Sequence, residues 1–316
     1  MDKFEVKLDQ AARAAWMSYV GGLTQDEIAI QLGVSRPGVQ RLLALARQEG
    51  LIKVHIDHPI STCMALGRTL RDHFGLTFCD VVPAEKNASD SATYYLGVAG
   101  AERISKLVER SQPLTLSLGS GRSVRAAVEA LDRMERPQHR FVSLVGNVAR
   151  DGSANRYDSV MLLADKTGGE RFLLPAPVVA ESLAEKNAML SQRLFQAIAT
   201  VTKKAEAAFI GVGRIDRRAT LFQDHFISER ELDELLGLEA VGELLGWPLN
   251  SRGEVIDCSI TRRVTSLPLE EFGKQMIVAI AGGYDKAPGI HAALEGGWLK
   301  GLITDEIAAQ NIVERL

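Results

Sequence analysis

Two stretches hold residues from which chemistry can be argued. The first is Ser35-Arg36-Pro37-Gly38-Val39-Gln40-Arg41, with Arg47 two helical turns further on. A guanidinium can pair bidentately with guanine, a carboxamide with adenine, and a serine hydroxyl can reach a phosphate or a base edge. The second is Gly119-Ser120-Gly121-Arg122-Ser123. Glycines there let backbone N–H groups approach an anion, and the two hydroxyls and the guanidinium suit a phosphate or a polyol.

The elements that must position the first set can be read from capping signals. Thr24 is a good N-cap, and Glu27 three residues later completes a capping box. Ile28, Ala29 and Leu32 share a face at helical spacing. Gly33 falls where a helix must stop and reverse. Ser35 caps a second helix with Pro37 in its first turn, where a missing N–H costs nothing. Val39, Leu42, Leu43 and Ala46 form the inward stripe, leaving Arg36, Gly38, Gln40, Arg41 and Arg47 outward. Gly38 costs about 1 kcal/mol of helix propensity relative to Ala, which close approach to DNA would explain. The layout is a helix-turn-helix whose second helix enters the major groove. Thr24, Gln25, Ser35, Arg36, Gly38, Gln40, Arg41 and Arg47 are its candidate DNA contacts. Gly50 to Ile56 alternates like a strand and suits half of a small wing. The plain alternative is a helical hairpin with a solvated basic face.

Composition sets the frame. The chain has 316 residues, enough for two domains, with 46% hydrophobic and 24% charged residues, as in an ordinary globular protein. The net charge is -3, so the whole molecule is not a polyanion binder. Residues 35–53 carry four basic side chains against one acidic, a local and modest excess. Tight DNA binding on that charge needs more than one copy of the module. Cys63, Cys79 and Cys258 lie far apart, which argues against a disulfide framework or zinc site and for reduced thiols. No apolar run reaches membrane-spanning length and no signal pattern opens the chain, so a cytoplasmic protein without membrane contact is expected.

Leu8 to Val20 is an amphipathic helix offering Ala11, Ala14, Ala15, Trp16, Tyr19 and Val20 for packing. His58-Pro59 marks the boundary between residues 1–57 and 58–316. A helix over 61–75, a first core strand over 76–83 and a helix over 92–110 follow. Strands then alternate with glycine turns and helices. Strands are predicted at 114–118, 141–145, 171–174, 207–212, 277–281 and 302–304. Helices are predicted from 122 to 133, over 186–202, over 228–237 and 238–245, over 286–296 and from Asp305. This alternation implies a Rossmann-like α/β domain, a parallel sheet with helices on both faces.

Ligands of such sheets collect at the carboxyl ends of the strands. Four of these ends carry glycine: Gly119/Gly121, Gly146, Gly211/Gly213 and Gly282/Gly283. Asn147 stands at one of them, and Lys286 follows another at a helix start. Together they favour a small-molecule pocket over a set of tight turns. Asp216 and Asp257 are candidate acceptors for sugar hydroxyls, or else capped turns. No histidine makes a metal-like spacing with another His or a Cys, so neither a metal nor a cofactor is expected. An enzyme, a sugar-phosphate isomerase or deaminase with an added N-terminal module, is the rival reading. It needs a poised acid/base pair, and no His–carboxylate pair is evident.

These motifs resemble the SorC/DeoR-type sugar-responsive transcriptional regulators over nearly the whole chain. The resemblance rests on Leu23–Ile56, Gly119–Ser123, Gly211-Val-Gly-Arg-Ile-Asp216 and Ala240-Val-Gly-Glu-Leu-Leu-Gly246. It extends to Arg263-Val264, Val278–Gly283 with Lys286-Ala287, Ala292–Gly297 and Leu302-Ile-Thr-Asp-Glu306. It implies an effector domain similar to phosphosugar isomerases and deaminases. It also implies a homotetramer whose affinity for an operator is set by a sugar, sugar phosphate or polyol. Carried over by motif, the effector contacts are Gly119, Ser120, Gly121, Arg122, Ser123, Asp257 and Lys286. Many members carry Trp-Gly-Thr where this chain has Ser-Gly-Arg-Ser. Similar regulators sit beside polyol genes, which puts a polyol among the expected effectors. The Gly213-Arg-Ile-Asp216 turn continues into Arg217-Arg218, not the Asp-Gly-His of the related deaminases.

Overall fold

Capping chemistry decides the first fifty residues. In a computed structural model of the chain, which describes residues 3–52, 59–84, 89–148, 157–272 and 275–316, three helices open the sequence. These are α1 (Lys3–Tyr19), α2 (Gln25–Leu32) and α3 (Arg36–Gln48). The Glu27 carboxylate accepts the Thr24 N–H at 2.8 Å while Thr24 Oγ1 accepts the Glu27 N–H at 3.4 Å, closing the capping box. Gly33 turns the chain at φ +63°, and Ser35 Oγ accepts the Gly38 N–H at 3.3 Å. Ile28, Val39, Leu42, Leu43 and Ala46 bury against Ala11, Ala14 and Ala15 of α1.

Two expectations for this unit need correction. α1 begins five residues earlier than Leu8, and Trp16, Tyr19 and Val20 are exposed, not packed. The alanine face alone meets α3, because small side chains let the two helix backbones approach. The expected wing strand to Ile56 lies, from Lys53 on, outside the described residues, and Leu51 and Ile52 are not in a strand.

The chain divides into two units, Met1–Asp57 and His58–Leu316. In the second, elements follow as α4 (Pro59–Phe74), β1 (Phe78–Val82), α5 (Ser89–Val108), β2 (Thr115–Leu118), α6 (Arg122–Glu129), β3 (Arg140–Val148), α7 (Val160–Thr167) and β4 (Glu170–Pro177). Then come α8 (Leu183–Leu190), α9 (Arg193–Thr202), β5 (Ala207–Ile210), α10 (Thr220–Gln223), α11 (Glu229–Gly237), β6 (Gly242–Leu244) and β7 (Trp247–Leu249). The series ends with β8 (Met276–Ile280), α12 (Ala287–Glu295), β9 (Gly301–Asp305) and α13 (Glu306–Val313). Seven strands form one parallel sheet in the order β1-β9-β8-β5-β2-β3-β4.

Period-two alternation sorts the core. Phe209, Val278, Ile280 and Ile303 face one layer with Ile104 of α5, Val124 and Val128 of α6 and Leu163 of α7. Their neighbours Ala208, Ile210, Ile277, Ala279 and Leu302 face the other, with Leu70 of α4, Ile290 of α12 and Ile312 of α13. Both faces are covered, as a parallel sheet requires. β1, expected as a core strand, is an edge strand and only half-buried. The helix expected over 238–245 is a β-hairpin, with Gly242 to Leu244 paired antiparallel to Trp247 to Leu249. Local propensity there yields to pairing, and Leu245 and Gly246 make the turn at φ +55° and +91°. The helix expected over 186–202 breaks between Leu190 and Arg193, and α6 stops at Glu129, short of Arg133.

The sheet depends on its largest buried side chains. Phe209 is 1% exposed at the centre of β5. Phe209→Ala should lower unfolding stability by about 3–5 kcal/mol, from lost transfer energy plus the cavity left behind. Denaturant titration of the full chain, followed by far-ultraviolet circular dichroism, measures this.

Candidate functional site

The reading surface of the first unit is set by α3. Arg36, Gln40, Arg41 and Arg47 are all exposed on it, and Ser35 precedes it in an extended backbone. Two of them are partly engaged with α2. Gln40 Nε2 donates to Gln25 Oε1 at 3.2 Å, and Arg36 pairs with Asp26 at 3.3 Å. Both contacts are solvent-exposed and hold the side chains at small cost to their release. Thr24 spends its hydroxyl on Glu27, so its direct part is the cap. The Thr24 N–H, and after it the Thr24 hydroxyl, hold the Glu27 carboxyl below the usual carboxylate range. Gly38 has a reason within the fold as well: a Cβ there would sit 3.3 Å from Val34 Cβ and 3.4 Å from Ser35 Oγ.

The second unit builds its site where the strand order reverses. The connection after β2 runs to β3 on one side, and that after β5 runs to β8 on the other. The carboxyl ends of β2 and β5 therefore part, and the crevice between them is the place where such sheets bind ligands. A cleft of about 80 Å³ lies there, several times the space one water needs. Ser120, Gly121, Arg122 and Ser123 line it from β2 and the start of α6, and Gly211 to Arg214 line it from β5. Arg218, Thr220, Glu243 and Lys286 complete the polar lining, and Val145, Val178, Leu221, Phe226 and Leu245 form the apolar wall.

Arg214, Arg218 and Glu243 are each held. Gly121 enters α6 at φ +141°, a conformation that favours glycine and leaves the first N–H groups of the helix unobstructed. Arg214 Nε donates to Asp216 Oδ1 at 2.8 Å and its NH1 to Asp285 Oδ2 at 2.8 Å. Arg218 shares Asp285 at 3.1 Å. Glu243 is tied to the opposite wall, because its N–H and C=O exchange hydrogen bonds with Gly213 at 3.0 Å each. A Cβ on Gly213 would collide with Glu243 Oε1, so only glycine fits. The Gly246 N–H donates to Glu243 Oε2 at 2.7 Å.

The electrostatics follow from these positions. Burial pushes the Lys286 ammonium down to about 8, and the Arg122 and Arg214 guanidiniums push the same way against Glu243 and Asp305. Burial pushes the Glu243 carboxyl up, opposed by the Gly246 N–H and Lys286. Four cations line the cleft against one carboxylate, with Asp216 and Asp285 behind two of them. With the positive end of α6 added, the lining is complementary in charge to an anionic group and in character to a hydroxylated, partly apolar body.

The structure brings Ser120, Gly121, Arg122, Ser123 and Lys286 together, and leaves other candidates outside. Gly119 does not line the cleft. Its N–H donates to Phe209 O at 2.8 Å, and a Cβ would crowd Ile210 and Leu245. Asp216 holds Arg214 from behind and accepts the Arg218 N–H, the capped-turn reading. Asp257 is not in the lining at all: it is exposed and pairs with Arg262 at 3.2 Å. Asn147 lies in β3, but its side chain is outside the described residues. Arg214, Arg218, Thr220 and Glu243 are additions. Glycine-flanked strand ends could have signalled Arg214; Glu243 arrives through a hairpin read as helix. Among the described residues no cluster of His, Cys, Asp or Glu could hold a metal ion, and no helix is long and apolar enough to cross a membrane.

Comparison with known proteins bears on both units. Residues 58–314 match the family described as "Putative sugar-binding domain", and residues 10–49 match "Sigma-70, region 4". The erythritol catabolism regulatory protein EryD of Brucella abortus is 34% identical over 303 residues, covering 96% of each chain. The transcriptional regulator LsrR of Enterobacter is 31% identical over 308 residues, covering 96% of this chain and 92% of that one. The full-length sorbitol operon regulator SorC from Klebsiella pneumoniae superposes with a TM-score of 0.72 at 22% identity, covering 99% of each chain, a likeness of fold.

A buried ammonium among guanidiniums is a liability until an anion arrives. Lys286→Met should stabilise the ligand-free protein at pH 7 by about 1–3 kcal/mol. In the parent, stability should rise between pH of about 8 and 10.5, because there the unfolded chain keeps a proton the folded one has shed. The variant should lack that rise. Paired chemical denaturation curves across this range test both.

Proposed function

The chain belongs to the family of SorC-type transcriptional regulators with a sugar-binding domain, and from that premise we propose that its effector is a small phosphorylated polyol or sugar held in the switch-point cleft. The observation that carries this reading is the convergence of Arg122, Arg214 and Lys286 with the start of α6 on one small cavity. The phosphate takes the N-terminal turn of α6 and the guanidiniums. Glu243 accepts from a hydroxyl, and Val145, Val178 and Phe226 flank the carbon chain. The regulated genes belong to carbohydrate or polyol catabolism, as the name of the Brucella relative says of that protein.

On the same reading α3 docks in the major groove, with Arg36, Gln40, Arg41 and Arg47 toward DNA and Ser35 and Gln25 at its rim. One module carries little net positive charge, so operator affinity comes from several copies in a homotetramer, each pair reading two half-sites. The protein works in the cytoplasm. Glu243 and Lys286 are assigned to binding and not to turnover, so the protein is a regulator and not an isomerase or deaminase.

Two measurements test these assignments. Arg41→Ala should weaken operator binding in a gel-shift titration and relax discrimination at one base pair by about 1–3 kcal/mol. An unchanged footprint for the Arg36→Ala/Arg41→Ala double variant would remove α3 from the groove. In a thermal-shift screen, four- to six-carbon polyol monophosphates should raise the melting temperature where the parent polyols do not. At a hundredfold excess over Kd the stabilisation is about 2.7 kcal/mol. Arg122→Ala should weaken that binding about 10- to 100-fold, the value of one charge-assisted hydrogen bond. A parent polyol binding as tightly as its phosphate would overturn the anionic assignment.

A further inference from the structure

The second unit contains another chamber, on the far side of a wall it shares with the cleft. It lies between α8, α9 and the face of β3 and β4, and encloses about 260 Å³. Ser143 and Leu144 of β3 line it, whereas the next residue, Val145, lines the cleft. Ser266 and Thr265 belong to its lining and bond through the wall, Ser266 Oγ to Leu245 O at 2.7 Å and the Thr265 N–H to Val178 O at 3.1 Å.

The chemistry of its lining is one-sided. Leu174, Leu190, Phe195, Ile198 and Leu267 supply an apolar body. The hydroxyls are already spent on backbone carbonyls: Ser143 Oγ donates to Val145 O at 2.9 Å, and Thr265 Oγ1 donates to Pro177 O. The one acid of the lining, Glu271, is taken by Lys203 at 2.6 Å. Gln196 and Thr202 add neutral polar groups, and Lys186 is the one cation of the lining. Its Nζ stands 5.3 Å from the centroid of the Trp247 ring, and among the described residues no carboxylate pairs with it. Burial alone pulls its ammonium below the ordinary lysine value.

A mostly apolar pocket this size, with one half-buried ammonium that no carboxylate among the described residues pairs, is complementary to one kind of molecule. It needs an apolar body to fill the space and one negative charge to satisfy Lys186. We propose that the chamber is a second ligand site, for a small monocarboxylic acid with a compact apolar body, whose carboxylate pairs with Lys186 over the face of Trp247. The site is separate from the polyol phosphate cleft and stands or falls without it.

Isothermal titration of the full-length protein with 3-phenylpropionate, cyclohexanecarboxylate and hexanoate tests this, with 3-phenylpropanamide as the uncharged control. At least one acid should bind saturably, one per chain, and 3-phenylpropanamide should bind at least about tenfold more weakly than 3-phenylpropionate. Lys186→Met should remove the preference for acid over amide, while Lys186→Arg keeps it. Ala199→Phe, which fills the chamber from α9, should abolish binding of both, with circular dichroism confirming that it folds. Lys286→Met, in the cleft, should leave the acid titration unchanged. No saturable binding of any acid at millimolar concentration, or acid binding indifferent to Lys186→Met, overturns the proposal. So does loss of acid binding in Lys286→Met, which would place the acids in the cleft.

Discussion

Like charges brought together in a cleft repel, and the second unit is arranged around tolerating that repulsion. Burial first, and the nearby Arg122 and Arg214 after it, take much of the basicity of Lys286. Nothing in the ligand-free cleft neutralises the group fully, since Glu243 is itself buried and pushed toward its neutral form. Such a cluster persists only where the backbone over-determines it. Here the parallel sheet, covered on both faces, does so: β2 delivers Arg122, β5 delivers Arg214, and the turn after β8 delivers Lys286. Asp216 and Asp285 hold Arg214 from two sides, so its guanidinium cannot swing away. On the proposed reading, an anion in the cleft relieves that repulsion, which gives a small molecule a preference between protein states.

How legible was this in the chain? The helix-turn-helix was legible almost residue by residue, because its signals are local. A capping box, a left-handed glycine and a capped helix with proline in its first turn each act within four residues. The inward stripe of Val39, Leu42, Leu43 and Ala46 is buried as its spacing requires. The parallel sheet was legible from alternation, though its edges were not. β1 reads as apolar yet ends the sheet, since strand order is a matter of topology and not of composition.

The cleft was half legible. Gly119 to Ser123 and Lys286 announce themselves by glycines at strand ends. Arg218 and Glu243 do not, because nothing near them in sequence says which wall they will face. Glu243 reaches the cleft only because residues 242–249 pair as a hairpin. The stretch read as helix, residues 238–245, is Leu-Glu-Ala-Val-Gly-Glu-Leu-Leu, rich in residues that favour helix when considered alone. Asp257, carried over by resemblance, stands outside the lining of the cleft, with its side chain turned outward to Arg262. α7, in a stretch to which no element was assigned, is a helix whose apolar face meets the sheet.

The cleft walls come from both halves of the second unit, and their last contributor, Lys286, stands near the end of the chain, with β9 and α13 still to follow. A ribosome therefore completes the groove-reading helices long before the groove's governor exists. Fragments that end between α4 and β8 keep every residue of α3 and lack the wall that Lys286 supplies.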